Sequence, residues 1–130
     1  MSNQTVRLAI LGSTGSIGTQ ALDVVRGLPG RFEVLVLTAG TRVQALMKQI
    51  IEFNPELVVV KGKDEVESLT NCLDASELAR RPRVLSGRDG LVAAAAYEGV
   101  DLVLNSLVGS IGLEPTLAAI HAGKDIALAN

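Results

Sequence analysis

Two hydrophobic rhythms alternate along the chain. Short continuous apolar runs occupy Val6–Leu11, Glu33–Thr38, Leu57–Val60, Val84–Ser86, Asp101–Asn105 and Lys124–Ala129. Runs of this length, bounded by glycine and proline, predict strands buried on both faces. Between them apolar residues recur at helical spacing. The first helix is expected over Ser16–Leu28, with Ile17, Ala21, Val24, Val25 and Leu28 as its buried stripe. A second over Arg42–Phe53 buries Val43, Leu46, Met47, Ile50 and Ile51. A third is capped by Asp64 and carries Val66, Leu69 and Leu73. An alanine-rich helix covers Leu91–Tyr97, and a last one Leu113–Ala122, with Pro115 tolerated in its first turn. Pro29-Gly30, Asn54-Pro55 and Gly123 stop helices, and residues 75–83 read as a surface excursion.

Strands and helices that alternate in this way predict an α/β fold. It is Rossmann-like and doubly wound, a mainly parallel sheet with helices on both faces. The 130 residues suit one domain with a single core, and with aromatics at only 2% that core must be aliphatic. The chain closes on a strand with no helix after it, which predicts that residues 1–130 are one domain of a longer polypeptide.

The stretch Val6–Gly18 carries the chemistry. A strand stops at Gly12, Gly15 and Gly18 follow at regular spacing, and a helix begins. In a dinucleotide-binding turn the first glycine lets the chain leave the strand, the second admits a pyrophosphate to the backbone, and the third seats the helix on the strand. Ser13, Thr14 and Ser16 add hydroxyl donors, and the opening N–H groups of the helix favour an anion. Acid is missing from the end of the second strand, Leu37-Thr38-Ala39-Gly40-Thr41-Arg42. An NAD site places Asp or Glu there, about 20 residues past the glycines, to bind the ribose. Arg42 instead suits the 2′-phosphate of NADP. The loop Ser106–Gly112, after the strand Asp101–Asn105, falls at the same sheet edge, where ligands bind.

Composition narrows the classes. Net charge is −2, and the one dense basic cluster, Arg80, Arg81 and Arg83, reads as a solvated turn, which argues against a nucleic-acid partner. Apolar runs fall short of the ~20 residues of a membrane span, so no membrane partner is expected. Cys72 reads as an inert packing residue and His121 as a surface residue near a helix end. The N-terminal residues lack signal-peptide character, which suits a cytoplasmic protein, or a plastid one after removal of a transit peptide. Glu52, Glu56, Asp64, Glu65, Glu67, Asp74 and Glu77 fall on helices and turns away from the carboxyl edge of the sheet. Asp101 begins its strand at the opposite edge. The expectation is therefore a cofactor cleft without carboxylates, with neither a metal site nor a catalytic residue.

Leu11-Gly12-Ser13-Thr14-Gly15-Ser16-Ile17-Gly18, continued by Leu22-Asp23-Val24-Val25-Arg26, resembles the N-terminal signature of the 1-deoxy-D-xylulose 5-phosphate reductoisomerases. Glu114–Ile120, Gly123-Lys124 and Leu128-Ala129-Asn130 extend the resemblance to the other end. It implies an NADPH-dependent enzyme of the non-mevalonate isoprenoid route, which rearranges and reduces its sugar phosphate to 2-C-methyl-D-erythritol 4-phosphate with a divalent metal, Mg or Mn. It also implies that the full-length protein is a homodimer, and that the metal and substrate sites lie outside these residues. By position, Gly12 opens the turn and Thr14, Gly15, Ser16 and Ile17 would hold the pyrophosphate. Gly40, Thr41 and Arg42 would surround the adenosine phosphate. Asn105–Gly109, with Ser106 and Leu107, would line the nicotinamide side, and Asn130 would reach the cofactor. Many members carry Lys-Asn after the glycine, so Thr41-Arg42 is a departure that keeps the charge but moves it by one residue. Two other readings stand beside this one: another NADP-dependent dehydrogenase domain, of the semialdehyde type, and a nucleotide-sensing module that is no enzyme. Sequence beyond Asn130 separates the first, and titration with NADPH against NADH the second.

Overall fold

The computed structural model describes residues 4–129. Six strands form one sheet: β1 (Val6–Leu11), β2 (Phe32–Thr38), β3 (Leu57–Val60), β4 (Arg83–Ser86), β5 (Leu102–Asn105) and β6 (Asp125–Leu128). Their spatial order is β4-β3-β2-β1-β5-β6, with every pairing parallel. The chain winds outward from β1 to one edge, then returns to the other side of β1. The order therefore reverses between β1 and β5, which is where an open α/β sheet leaves a crevice at its carboxyl edge. The expected doubly wound architecture is present, and its sheet is wholly parallel.

The helices are α1 (Ser16–Gly27), α2 (Val43–Phe53), α3 (Lys63–Asp74), α4 (Gly87–Ala95) and α5 (Leu113–His121), with a 3₁₀ turn at Gly109–Gly112. The sheet divides the core in two. On one face Leu8, Ile10, Val58 and Val60 pack with Leu22 of α1, Leu46 and Ile50 of α2, and Leu69 and Leu73 of α3. On the other, Ala9, Leu11, Leu57, Val59 and Val103 meet Ala94 and Ala95 of α4 and Ala119 of α5. The alanines let α4 and α5 lie close, and Gly90 of α4 is closer still. A Cβ there would stand 2.8 Å from Cγ1 of Val59.

β2 contains an irregularity. Leu8 pairs with Val34 but Ala9 with Val36, so Leu35 is an extra residue. Leu35 and Val36 accordingly face the same half of the core, and Leu37 returns to the half that holds Val34.

Three helix details differ from expectation. On α1, Ile17, Val24 and Leu28 are exposed, whereas Gly18 and Leu22 are buried and Ala21 and Val25 pack against the core. The true stripe is 18, 21, 22 and 25, an equally good helical period rotated so that a glycine faces the sheet. On α2 Ile51 is exposed and Gln49, at 8% exposure, takes a place inside. Gly62 rather than Asp64 precedes the first turn of α3, and α4 begins at Gly87, one turn earlier than its apolar residues indicate.

Candidate functional site

The turn between β1 and α1 is built as the glycines foretell. Gly12 has φ +85°, and a Cβ there would stand 2.7 Å from the Ser106 hydroxyl, so both conformation and space call for glycine. A Cβ on Gly18 would fall 2.3 Å from the Gly12 carbonyl oxygen, which shows how tightly α1 sits on the loop. Gly15, the N-cap, is open: its nearest such contact is 3.7 Å away. No side chain caps α1, and its first i→i−4 bond is donated by Thr19 to Gly15. The N–H groups of Ser16, Ile17 and Gly18 precede that bond and are the ordinary unpaired donors of a helix start. An uncapped, unobstructed helix start is suited to an anion.

The loop is held from three sides. The Gly12 amide donates to Oγ1 of Thr38 at 2.9 Å and the Ser13 amide to the Thr38 carbonyl at 2.8 Å. The Ser106 hydroxyl donates to the Leu11 carbonyl at 2.7 Å. From α2, Gln49 exchanges hydrogen bonds with Ser13: Oγ donates to Oε1 at 2.7 Å, and Nε2 donates to the Ser13 carbonyl at 2.9 Å. Ser13 is fully buried, so its hydroxyl faces α2 and is not the anion donor expected of it. Thr14 and Ser16 keep that possibility. Nη1 of Arg42 donates to the Thr14 carbonyl at 2.8 Å.

The residues singled out from the sequence thus come together at the carboxyl edge of β1, β2 and β5. A cleft of about 740 Å³ opens there. Gly12, Gly40 and Leu107 line it, as do Val60, Leu91, Ile111, Leu113 and Leu117, a largely apolar wall of the kind a heterocycle occupies. Thr41 and Arg42 lie beside it, on a shallower groove between α2 and α3 that Asp64 and Glu65 also border. Asn105 is buried and turned inward: Nδ2 donates to the Gly112 carbonyl and to Thr116, and Oδ1 accepts from the Leu107 amide. Its task is to shape the loop that carries Ser106 and Leu107. Asn130 lies outside the described residues.

One expectation is overturned. The cleft does contain a carboxylate, Glu114 in the first turn of α5. Its partner is Arg88 at the start of α4, which donates through both Nε and Nη2. Those hydrogen bonds hold the Glu114 carboxyl below, and the Arg88 guanidinium above, their ordinary ranges. Lys61 adds a second cation to the wall. Twenty-six residues separate Arg88 from Glu114, so only the packing of α4 beside α5 reveals the pair. Among the described residues, no three His, Cys, Asp or Glu side chains converge to hold a metal. Nor is any helix long and apolar enough to cross a membrane.

Comparison with known proteins agrees with this geometry. Residues 8–130 match the profile of the 1-deoxy-D-xylulose 5-phosphate reductoisomerases. The enzyme of that name from Symbiobacterium thermophilum is 54% identical over 123 residues, covering 95% of this chain and 32% of the relative. The one from Geotalea uraniireducens is 48% identical over 124 residues, covering 95% and 31%. The chain thus spans about a third of the length of these relatives. A solved DOX-P reductoisomerase in complex with NADPH, fosmidomycin and magnesium superposes with a TM-score of 0.90 at 40% identity, covering 96% of this chain and 30% of the other. The Zymomonas mobilis enzyme in complex with NADPH gives 0.86 at 35% identity, covering 98% and 32%.

Proposed function

Since this chain belongs to the 1-deoxy-D-xylulose 5-phosphate reductoisomerase family, we propose that residues 1–130 form the NADPH-binding domain of such an enzyme. The observation that carries the reading is the uncapped start of α1 beneath an open Gly15, at the point where strand order reverses. In this reading the backbone of Thr14–Ile17 receives the pyrophosphate, with Gly12 shaping the turn. Gly40, Thr41 and Arg42 receive the adenosine phosphate, and Ser106 and Leu107 border the nicotinamide side, with Asn130 completing it. The apolar wall of the cleft takes the rings. When bound, NADPH supplies a hydride to the substrate.

The sugar phosphate, its conversion to 2-C-methyl-D-erythritol 4-phosphate, the homodimer and the cytoplasmic or plastid compartment belong to the whole protein in this proposal. So does the divalent metal. The described residues do not fit one, because the single carboxylate in the cleft is engaged by Arg88. Calorimetry with NADPH and NADH tests the reading. Saturable binding with a preference for NADPH is expected, and a folded chain that binds neither would overturn it.

A further inference from the structure

We propose that Gln49 is a positioning residue for the cofactor: from the buried face of α2 it fixes the Ser13 peptide, and with it the backbone that receives the pyrophosphate. The inference rests on the NADPH reading above and deepens it.

Gln49 occupies a place where apolar packing would be the ordinary choice. Leu46, Met47 and Ile50 surround it on α2, and only 8% of it is exposed. A buried amide is costly unless satisfied. Here both ends are spent on one residue, Ser13, thirty-six positions earlier. The Ser13 carbonyl can only accept, so Nε2 must face it and Oε1 must face the hydroxyl. The pair therefore has one orientation.

The consequence follows from peptide geometry. In a trans peptide the carbonyl and the next N–H point in opposite directions. Because the Ser13 carbonyl points at Gln49, the Thr14 N–H points away from α2. The Thr14 carbonyl is held the same way by Arg42, and the Gly15 N–H accordingly turns toward the Gly12 carbonyl at 3.3 Å. One helix thus orients two successive peptides just ahead of the open helix start. Purely apolar packing at position 49 would fill the same space without choosing that orientation.

The test compares two ligands on the 130-residue chain, with amide chemical shifts as the readout so that weak binding is seen. NADPH carries a pyrophosphate, and adenosine 2′-monophosphate carries only the 2′-phosphate. Gln49→Met keeps the length and removes both hydrogen bonds. It should weaken NADPH about tenfold or more, as expected for losing more than 1.4 kcal/mol, and leave adenosine 2′-monophosphate unchanged. Ser13→Ala removes a single hydroxyl from a loop otherwise held by backbone bonds, and serves if Gln49→Met fails to fold. It should show the same split at smaller size. Equal losses for both ligands would mean that Gln49 merely supports α2, and unchanged NADPH binding would mean that it orients nothing. Either result overturns the proposal while leaving the NADPH reading intact. A folded wild-type chain that ignores NADPH would remove the reading itself.

Discussion

Nη1 of Arg42 lies 2.8 Å from the carbonyl oxygen of Thr14. The side chain proposed to meet the 2′-phosphate therefore already grips the loop proposed to meet the pyrophosphate. Arg42→Ala removes a phosphate partner and a loop contact together. It should cost NADPH about 1.5–3 kcal/mol, and NADH about 0.5–1.5 kcal/mol through the Thr14 contact alone. Calorimetry with both cofactors checks this, and equal losses would show that Arg42 reads no 2′-phosphate.

Gly15 and Gly18 should respond in opposite ways. Gly15→Val adds a side chain over an open surface, so the core stays intact while NADPH binding is lost. Gly18→Ala drives a Cβ into the Gly12 carbonyl and the Ser13 backbone. Overpacking against backbone should cost about 1–3 kcal/mol of stability. Circular dichroism melts and a cofactor titration on both variants separate the two effects.

Tyr97, the sole tyrosine, donates its hydroxyl to Oε1 of Glu56 at 2.9 Å. Burial first, and the Glu56 carboxylate second, raise its pKa above the ordinary value near 10. A raised folded-state pKa means that the proton is held more tightly in the native chain. The stabilisation is complete below the ordinary value and is lost as pH climbs through the folded one. Tyrosinate absorbance should therefore rise at higher pH in the folded chain than in urea. Glu56→Gln should bring the two curves together.

The chain should bind NADPH without consuming it. Glu114 is the cleft's carboxylate, and Arg88 occupies it. Incubation of the 130-residue chain with NADPH, Mg²⁺ and 1-deoxy-D-xylulose 5-phosphate should leave NADPH absorbance flat. Steady metal-dependent loss above a heat-killed control would reveal a catalytic group among these residues.

The fold was legible because its signals were local: apolar strands, glycine stops and a helical period between them. The turn at Gly12, Gly15 and Gly18 was legible because each glycine answers a separate steric demand, and those demands follow from the motif. What escaped depended on rotation and on distance. On α1, Ile17 and Val24 make as good a stripe as Gly18 and Leu22, and the choice is made by the close seat that Gly18 permits. Gln49 left a faint trace, a polar residue among Leu46, Met47 and Ile50, but its partner lies on another element. Arg88 and Glu114 left none, because two exposed charges acquire meaning only when α4 and α5 are laid side by side.

The extra residue in β2 works as a parity switch. Before Leu35, even-numbered residues look toward the half of the core that holds α2; after it, Leu37 does. Removing one residue there would restore an even count and exchange the two sides of everything downstream. Leu37 would leave its core, and the Thr38 hydroxyl would no longer stand where the Gly12 amide now finds it. A deletion of Leu35 is thus a change of handedness in the strand's bookkeeping. Insertions and deletions in β2 should survive only in pairs, while the neighbouring turns at Pro29-Gly30 and Asn54-Pro55 absorb them singly.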